Sequence, residues 1–318
     1  MGHRRPAPSG DIRAIPAPPA GWFDHEFNVL MDGSLAMLRA QRDIHGDYRA
    51  WRMAYQESGH VTPMPPDWNE RLRLSAFDGR TEGPAIEPAL HVAHIVQRLA
   101  DGRWLVTMAR AAPGEANARL FTADGEAAGS MQLGDGIAHV QCSTDGGIWV
   151  GYFDEGVYGG RQPDGARPVS ASGIVRFDAD GSPTWRLDDH PEAPYLADCY
   201  AMALSGETLW TCYYTDFSIV RIEAGAVRSW TNEEIAGAKA LAVDGDLVLL
   251  AGGYDKDAAR IALLRLGPQG AQSLGKVWLE PPTDPSRRMI GHGDTLHIIE
   301  DGQWRRITVA DVHRALGY

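Results

Sequence analysis

Cysteine is scarce in this sequence. Only Cys142, Cys199 and Cys212 occur in 318 residues, too few for a disulfide framework. No apolar run approaches the roughly 20 residues that span a bilayer. The N-terminal stretch MGHRRPAPSGDIRAIPAPPAG starts basic but has no apolar stretch of the secretory kind. These absences lead to the expectation of a cytoplasmic chain with reduced thiols. Positive charge is also short: 30 Lys and Arg against 42 Asp and Glu, a net charge of −12. Nucleic acid and anionic membrane both need clustered cations, so neither is expected as a partner. The nearest basic clusters, Arg287-Arg288 and Arg305-Arg306, are expected to be solvated. There is no HExxH, CxxC, G-x-S-x-G, P-loop or dinucleotide fingerprint in its required context. Helical periodicity is confined to one turn in Asn232–Leu241 (NEEIAGAKAL) and a short helix in the tail ADVHRALGY.

Turn residues are abundant: 36 Gly and 20 Pro. They fall in a repeat, an apolar strand, a tight turn of Asp, Gly or Ser, and a second apolar strand. The copies begin at NVLMDGSLAML (28–38), IVQRLADGRWLVTM (95–108), VQCSTDGGIWVGY (140–152), YAMALSGETLWTCYY (200–214), ALAVDGDLVLLAGG (240–253) and RMIGHGDTLHII (288–299). Asp-Gly between β-rich runs is a strong hairpin signal. A second hairpin follows each of the first five: 71–83, 118–129, 173–185, 218–230 and 261–278. Six units of four antiparallel strands predict an all-β, six-bladed β-propeller, because isolated four-stranded sheets bury too little and a radial array covers their faces. The sixth unit has only three strands. The N-terminal segment is expected to supply the fourth near Asp11–Pro19, with Pro16, Pro18 and Pro19 suited to an edge. Residues 1–20 are thus read as a Pro/Ala-rich segment that is partly a closing strand, and 21–318 as a single propeller domain. Cys199 and Cys212 are expected opposite one another on paired strands, as free thiols.

The stretch Asp145-Gly146-Gly147-Ile148-Trp149-Val150-Gly151, followed by Gly173-Ile174-Val175-Arg176-Phe177-Asp178, resembles the propeller repeat of two-component-regulator sensor proteins. That resemblance implies a blade, not an activity. GYFDEGVYG, DCYAM and YYTDF are similar to segments of uncharacterised propeller proteins of high-GC bacteria. The resemblance to gluconolactonase and senescence-marker propellers is distant. Those enzymes hold a divalent metal with a Glu, two Asn and an Asp. Here Asn69 and Asn117 fall in apparent loops and Asn28 starts a strand, so that metal site is not carried over.

In a propeller the turns from first to second and third to fourth strand lie on one face. The connections from second to third strand, and from one blade to the next, lie on the other. Here only the latter are long and varied, which marks one elaborated face. They bring Tyr152-Phe153-Asp154-Glu155, Tyr213-Tyr214-Thr215-Asp216-Phe217 and Tyr254-Asp255-Lys256-Asp257 from three blades, and His91, His94, Asp135, His139, Asp198-Cys199-Tyr200 and Lys239 from between blades. Asp154, Glu155, Asp198, Tyr214, Asp216, Tyr254 and Asp255 are therefore expected to contact a ligand at the channel mouth, with His139 and Lys239 as secondary candidates and Lys239 as the one internal cation. Taken singly, each Tyr-Asp pair also suits a structural corner with an Asx-turn. The leading expectation is a ligand-binding or interaction propeller for a small molecule or protein. The alternative is a propeller enzyme (hydrolase, lactonase or lyase). In it Asp154, Glu155, Asp198 or Asp216 would act as acid or base and His139 as proton carrier. A purely structural subunit is the third reading. No cofactor is identified; a divalent cation such as Ca²⁺ at Asp154-Glu155 would need the loop to bend.

Overall fold

The computed structural model describes residues 4–44, 46, 47, 53, 71–90, 95–159, 165–281 and 287–318. Strand β1 (Asp11–Ala14) opens the chain, and six blades follow. The first holds β2 (Phe23–Val29), β3 (Leu35–Ala40) and β4 (Leu72–Phe77); the second β5 (Ile95–Arg98), β6 (Trp104–Thr107), β7 (Ala118–Phe121) and β8 (Ala127–Met131). The third holds β9 (Ile137–Cys142), β10 (Ile148–Tyr152), β11 (Ile174–Phe177) and β12 (Pro183–Arg186); the fourth β13 (Asp198–Ser205), β14 (Thr208–Tyr214), β15 (Ile219–Glu223) and β16 (Ala226–Trp230). The fifth holds β17 (Ala240–Asp244), β18 (Leu247–Ala251), β19 (Arg260–Gly267) and β20 (Gly270–Trp278); the sixth β21 (Arg288–His292), β22 (Thr295–Glu300) and β23 (Gln303–Thr308). Every pairing within these sheets is antiparallel. The six first strands touch in turn, β2 to β5, β9, β13, β17, β21 and back to β2, which makes a closed ring. A hairpin device repeats. Asp32, Asp101 and Asp145 each accept the backbone N–H two residues on, at 2.9, 3.0 and 3.1 Å, an Asx-turn that fixes the strand reversal.

The packing explains why the blades need one another. Six buried apolar clusters occur among the described residues, and each is shared by two neighbouring blades. Val140, Ile148 and Phe177 of the third blade meet Leu105, Leu120 and Leu133 of the second. Leu35, Met37 and Phe77 of the first meet Ile299 and Trp304 of the sixth. No blade buries its faces alone, so the ring forms as a unit.

Closure comes from the N-terminus, as the short sixth unit implies. β1 pairs with β23 from Asp11↔Arg306 to Ala14↔Gln303. The same segment also reaches the fifth blade: Trp278 donates to Arg5 O (2.9 Å) and Ala7 to Trp278 O (2.7 Å). Arg306 pairs with Asp11, and the Arg305 Nε donates to Ser9 O at 2.7 Å. These arginines are thus bound to the strap rather than simply solvated. Pro16, Pro18 and Pro19 follow the strand instead of forming it. Pro16 O takes a bond from the buried Arg39 guanidinium at 2.5 Å, and Arg39 also pairs with Asp24 and Glu82 at 2.9 Å.

Four expectations need correction. The fourth strand of the first blade is reduced to two isolated bridges, Leu74↔Ile86 and Phe77↔Glu82; Pro84 and Pro88 flank this edge without N–H donors. Residues 232–241 form no helix, because Asn232 Oδ1 takes the Glu234 and Ile235 N–H groups (2.9 and 3.3 Å) and holds the chain in a loop. The C-terminal helix Val309–Leu316 does form, opened by a Thr308–Asp311 capping box. Cys199 faces Tyr213 and Cys212 faces Ala201 across a bulge, so the two thiols are not opposite. They join different inter-blade clusters. All three cysteines are buried and free. Asn28 lies near the end of β2, not at its start, and accepts the Val96 N–H at 2.9 Å.

Candidate functional site

The first strands all begin at the elaborated face and end at the tight-turn face. At the tight-turn end three of them are bonded together. Gly293 N–H donates to Leu204 O and Gly293 O accepts from Val243 N–H, both at 2.7 Å. The approach is close enough that a Cβ at Gly291 would fall 1.6 Å from Leu241 O. His292 adds a 3.2 Å contact to Met31 O. The other side of the axis stays open as a cavity of about 470 Å³ lined from all six blades.

Its walls are mixed. Phe27, Ile95, Ile137, Val140, Met202 and Met289 supply apolar surface; Asn28, Gln97, Gln141, His139 and Tyr200 supply polar groups. Its charged lining is Glu26, Lys239, Arg287 and Arg288. The Arg287 guanidinium is held on Glu300 and Glu280 O and also lines a separate pocket against the N-terminal segment, which leaves Lys239 and Arg288 as the cations of the cavity. This corrects two expectations. Lys239 is not the one internal cation, and Arg287-Arg288 are not a solvated pair. The arginines enter β21 at the axis, where Arg288 pairs with Glu26 (2.6 Å) and Arg287 with Glu300 (2.7 Å). Lys239 is exposed and has no ion pair among the described residues; its Nζ lies 5.7 Å from the Tyr200 ring centre. Burial pulls the His139 imidazole below its ordinary pKa, against the opposing pull of the Tyr200 and Cys199 backbone.

Tyr200 also belongs to a second feature, an aromatic shelf beside the cavity. Its ring centre lies 5.7 Å from Phe217, 5.9 Å from Tyr254 and 6.4 Å from Tyr214. Tyr254 Oη donates to Tyr200 Oη at 2.5 Å. Tyr214 and Tyr254 remain 43% exposed, so ring faces are available to a ligand. The loops that carry the shelf are conformationally costly. Phe217 and Asp255 sit at φ 53° and 45°, where a bulky residue such as Phe is rarely found. A Cβ at Gly237 would lie 2.8 Å from the Tyr254 ring, so glycine is what lets that ring lie where it does.

Asp198 is half-buried beside the shelf, and no hydrogen bond or ion pair holds its carboxylate among the described residues. Its pKa is raised by burial first and then by Asp154, with Lys239 opposing. A raised folded-state pKa means the stabilising form is the neutral one. That contribution is present below the unfolded value near 3.9 and is lost as pH rises through the folded value. Asp198→Asn is therefore expected to raise Tm at pH 7 by roughly one to three degrees, with no gain at pH 3.5. A lower Tm at pH 7 would show that the carboxylate is held by structure.

The remaining expected residues separate into two groups. Asp154, Asp198, Tyr214, Tyr254 and Lys239 come together at the shelf, where Asp154 acts on Asp198 and Asp198 on Tyr254. His139 lines the cavity with Lys239. Glu155 points elsewhere, bound to Arg110, which also holds Asp135 at 2.9 Å. Asp216 and Asp255 are exposed and join neither the cavity lining nor the shelf contacts. The segment Asp154–Tyr158 is a short helix rather than a loop. Its Tyr158 accepts from Tyr195 Oη at 2.9 Å, and that bond leads the rise of the Tyr158 hydroxyl to about 12. Tyr152 is fully buried with its hydroxyl on Leu133 O. Asn117 is buried between Met108 O, Gly134 O and Leu133 N–H at 2.8–3.0 Å, a structural clip. His91, His94 and Asn69 lie outside the described residues. Among the described residues no group of three His, Cys, Asp or Glu is placed to hold a metal, and no helix is long and apolar enough to cross a membrane. Sequence reasoning named Tyr200 among the connections without assigning it a ligand contact, and it missed Glu26, Arg287 and Arg288. The signal available was their position at the start or middle of a first strand.

The YxzG family model matches residues 174–263, less than a third of the chain. No curated protein sequence matches it. Among solved structures, a chain of the mitotic checkpoint complex is similar over 94% of this chain and 81% of its own, with 11% identity and a TM-score of 0.54. A gluconolactonase from Xanthomonas campestris is similar over 96% and 98%, with 14% identity and a TM-score of 0.46. The PQQ-bound aldose sugar dehydrogenase of Streptomyces coelicolor is similar over 95% and 98%, with 13% identity and a TM-score of 0.45. The first of these likenesses agrees with the propeller fold seen in the strand order, and a fold alone does not fix an activity.

Proposed function

We propose that the protein binds a small anionic molecule, a carboxylate or phosphate compound, in the axial cavity. The observation that carries this reading is the meeting of Lys239 and Arg288 at one concave site of an otherwise acidic chain. Single arginines scattered on a surface are ordinary; two cations from different blades at one concave site make an anion site. Glu26 holds Arg288 in place, so little side-chain freedom is lost on binding. Lys239, exposed and without an ion pair among the described residues, completes the contact. The apolar wall of Phe27, Ile95, Ile137 and Met289 suits the carbon body of such a ligand.

The test is calorimetry at low ionic strength with inorganic phosphate and butyrate as probes. Lys239→Met and Arg288→Met are each expected to weaken binding about tenfold or more, the scale of one charge-assisted contact. Arg265→Met, on an exposed outer pair with Asp246, is expected to change nothing. Equal affinity in all four proteins would refute the site.

A further inference from the structure

The mouth of the cavity is electrically two-sided. Arg288 enters from the sixth blade and Asp154 and Asp198 from the third and fourth; Lys239, over Tyr200 and within electrostatic reach of Asp198, stands between the two sides. The shelf of Tyr200, Tyr214, Phe217 and Tyr254 lies on the acidic side, and Tyr200 is common to shelf and cavity. We propose that the ligand is a zwitterion, an amino acid or short peptide, whose acid group meets Lys239 and Arg288 while its ammonium group sits between Asp198 and the faces of Tyr214 and Tyr254. This rests on the anion-binding reading and deepens it.

Three observations favour a cationic nitrogen on that side over a neutral hydroxyl or a second anion. Burial first, and then the like charge of Asp154, raise the pKa of Asp198, with Lys239 opposing; a cation beside Asp198 relieves that penalty, and a second anion would worsen it. The Asp198 carboxylate has no hydrogen-bond partner among the described residues, so no protein group competes with a ligand for its acceptor positions. The exposed tyrosine rings present their electron-rich faces, which attract an ammonium ion. The protein already makes this contact once, with Lys239 over Tyr200 at 5.7 Å. The left-handed Phe217 and Asp255 mark the shelf loops as costly in backbone conformation, as binding loops often are.

The test uses the full chain and a graded probe series, ω-amino acids from glycine to 6-aminohexanoate, each compared with the unsubstituted carboxylate of the same length. At least one amino acid is expected to bind ten times more tightly than its parent carboxylate. In Asp198→Asn that advantage should vanish while carboxylate affinity is retained or raised. In Lys239→Met both ligands should weaken together. If carboxylates bind but no amino acid gains over its parent, the zwitterion assignment is wrong and the anion site stands. If the advantage persists in Asp198→Asn, the ammonium site is not at Asp198. If no carboxylate and no phosphate binds to the wild-type protein, the anion reading fails and this inference with it.

Discussion

Removing residues 1–15 is expected to lower Tm by about ten degrees and to make the protein aggregate. The deletion takes away β1 and its register on β23. It also removes the bonds from Arg5 and Ala7 to Trp278 and the buried Ile15 side chain. Ile15 packs with Trp304, Phe77, Leu35 and Met37 in the cluster that joins the last blade to the first. Burying one such side chain stabilises by about 2 kcal/mol. The loss of a whole outer strand, with Arg305 and Arg306 deprived of Pro8, Ser9 and Asp11, brings the total to roughly 5 kcal/mol. In a chain of this size about 2 °C accompanies each kcal/mol. The exposed β23 edge then becomes a template for pairing with other chains. Calorimetric melting and light scattering of the truncated protein check this. An unchanged Tm would mean that the ring is closed by something other than the strap.

Acid is expected to destabilise the protein well above the pH at which carboxylates titrate. His297 is 2% exposed. Its Nδ1 accepts the Trp304 indole N–H at 3.0 Å, and its ring stacks on Trp304 at 5.6 Å. Burial pushes its pKa down to about 3, with the positive groups His292 and Arg306 adding to the effect. Burial likewise lowers His292 and His139. Asp32, Asp294 and the Met31 backbone oppose it at the first, and the Tyr200 and Cys199 backbone at the second. A depressed pKa gives stability that is fully present above the unfolded value near 6.5 and lost as pH falls toward the folded value. Between pH 6.5 and 3 the unfolded chain takes up a proton that folded His297 refuses, a loss on the order of 5 kcal/mol at the acid end. Asp198, whose pKa is raised, works in the opposite direction. Urea midpoints at pH 7.5, 6.0 and 5.0 measure the slope. His297→Asn keeps an acceptor near Nδ1 but cannot titrate, so it should be less stable at pH 7.5 and lose less on going to pH 5.0. A wild-type midpoint that is flat from pH 7.5 to 5.0 would show that these rings accept protons without cost.

The architecture was legible in the sequence because each blade depends on local signals. Gly33, Gly102 and Gly146 take φ of 79°, 89° and 88° beside the Asp residues that close each hairpin, and Asp-Gly announces such a turn directly. The missing twelfth hairpin told where the N-terminus had to go. The site was legible only in part, because loops show their polarity while inner strands do not. Asp154, Asp198, Tyr214, Tyr254 and Lys239 fall where a reading of the connections puts them. Arg287 and Arg288 do not stand out. Their destination depends on which residue of β21 reaches the axis, and that follows from the ring contacts and not from the dipeptide. Tyr200 is visible beside Asp198 in the connection, but its place in the lining follows from the bulge between Cys199 and Ala201, which shifts the register of the strand. The helix at Asp154–Tyr158 is five residues with a glycine in its middle, too short to carry a periodic signal.

The most direct measurement is a crystal structure with selenate, located by its anomalous scattering. The account predicts a selenium peak on the ring axis, within hydrogen-bond reach of Lys239 Nζ and the Arg288 guanidinium, and loss of that peak in Lys239→Met. Selenate bound only on the outer face, for example at Arg221 and Arg228 beside Trp230, or an empty axial cavity at saturating selenate, would contradict it.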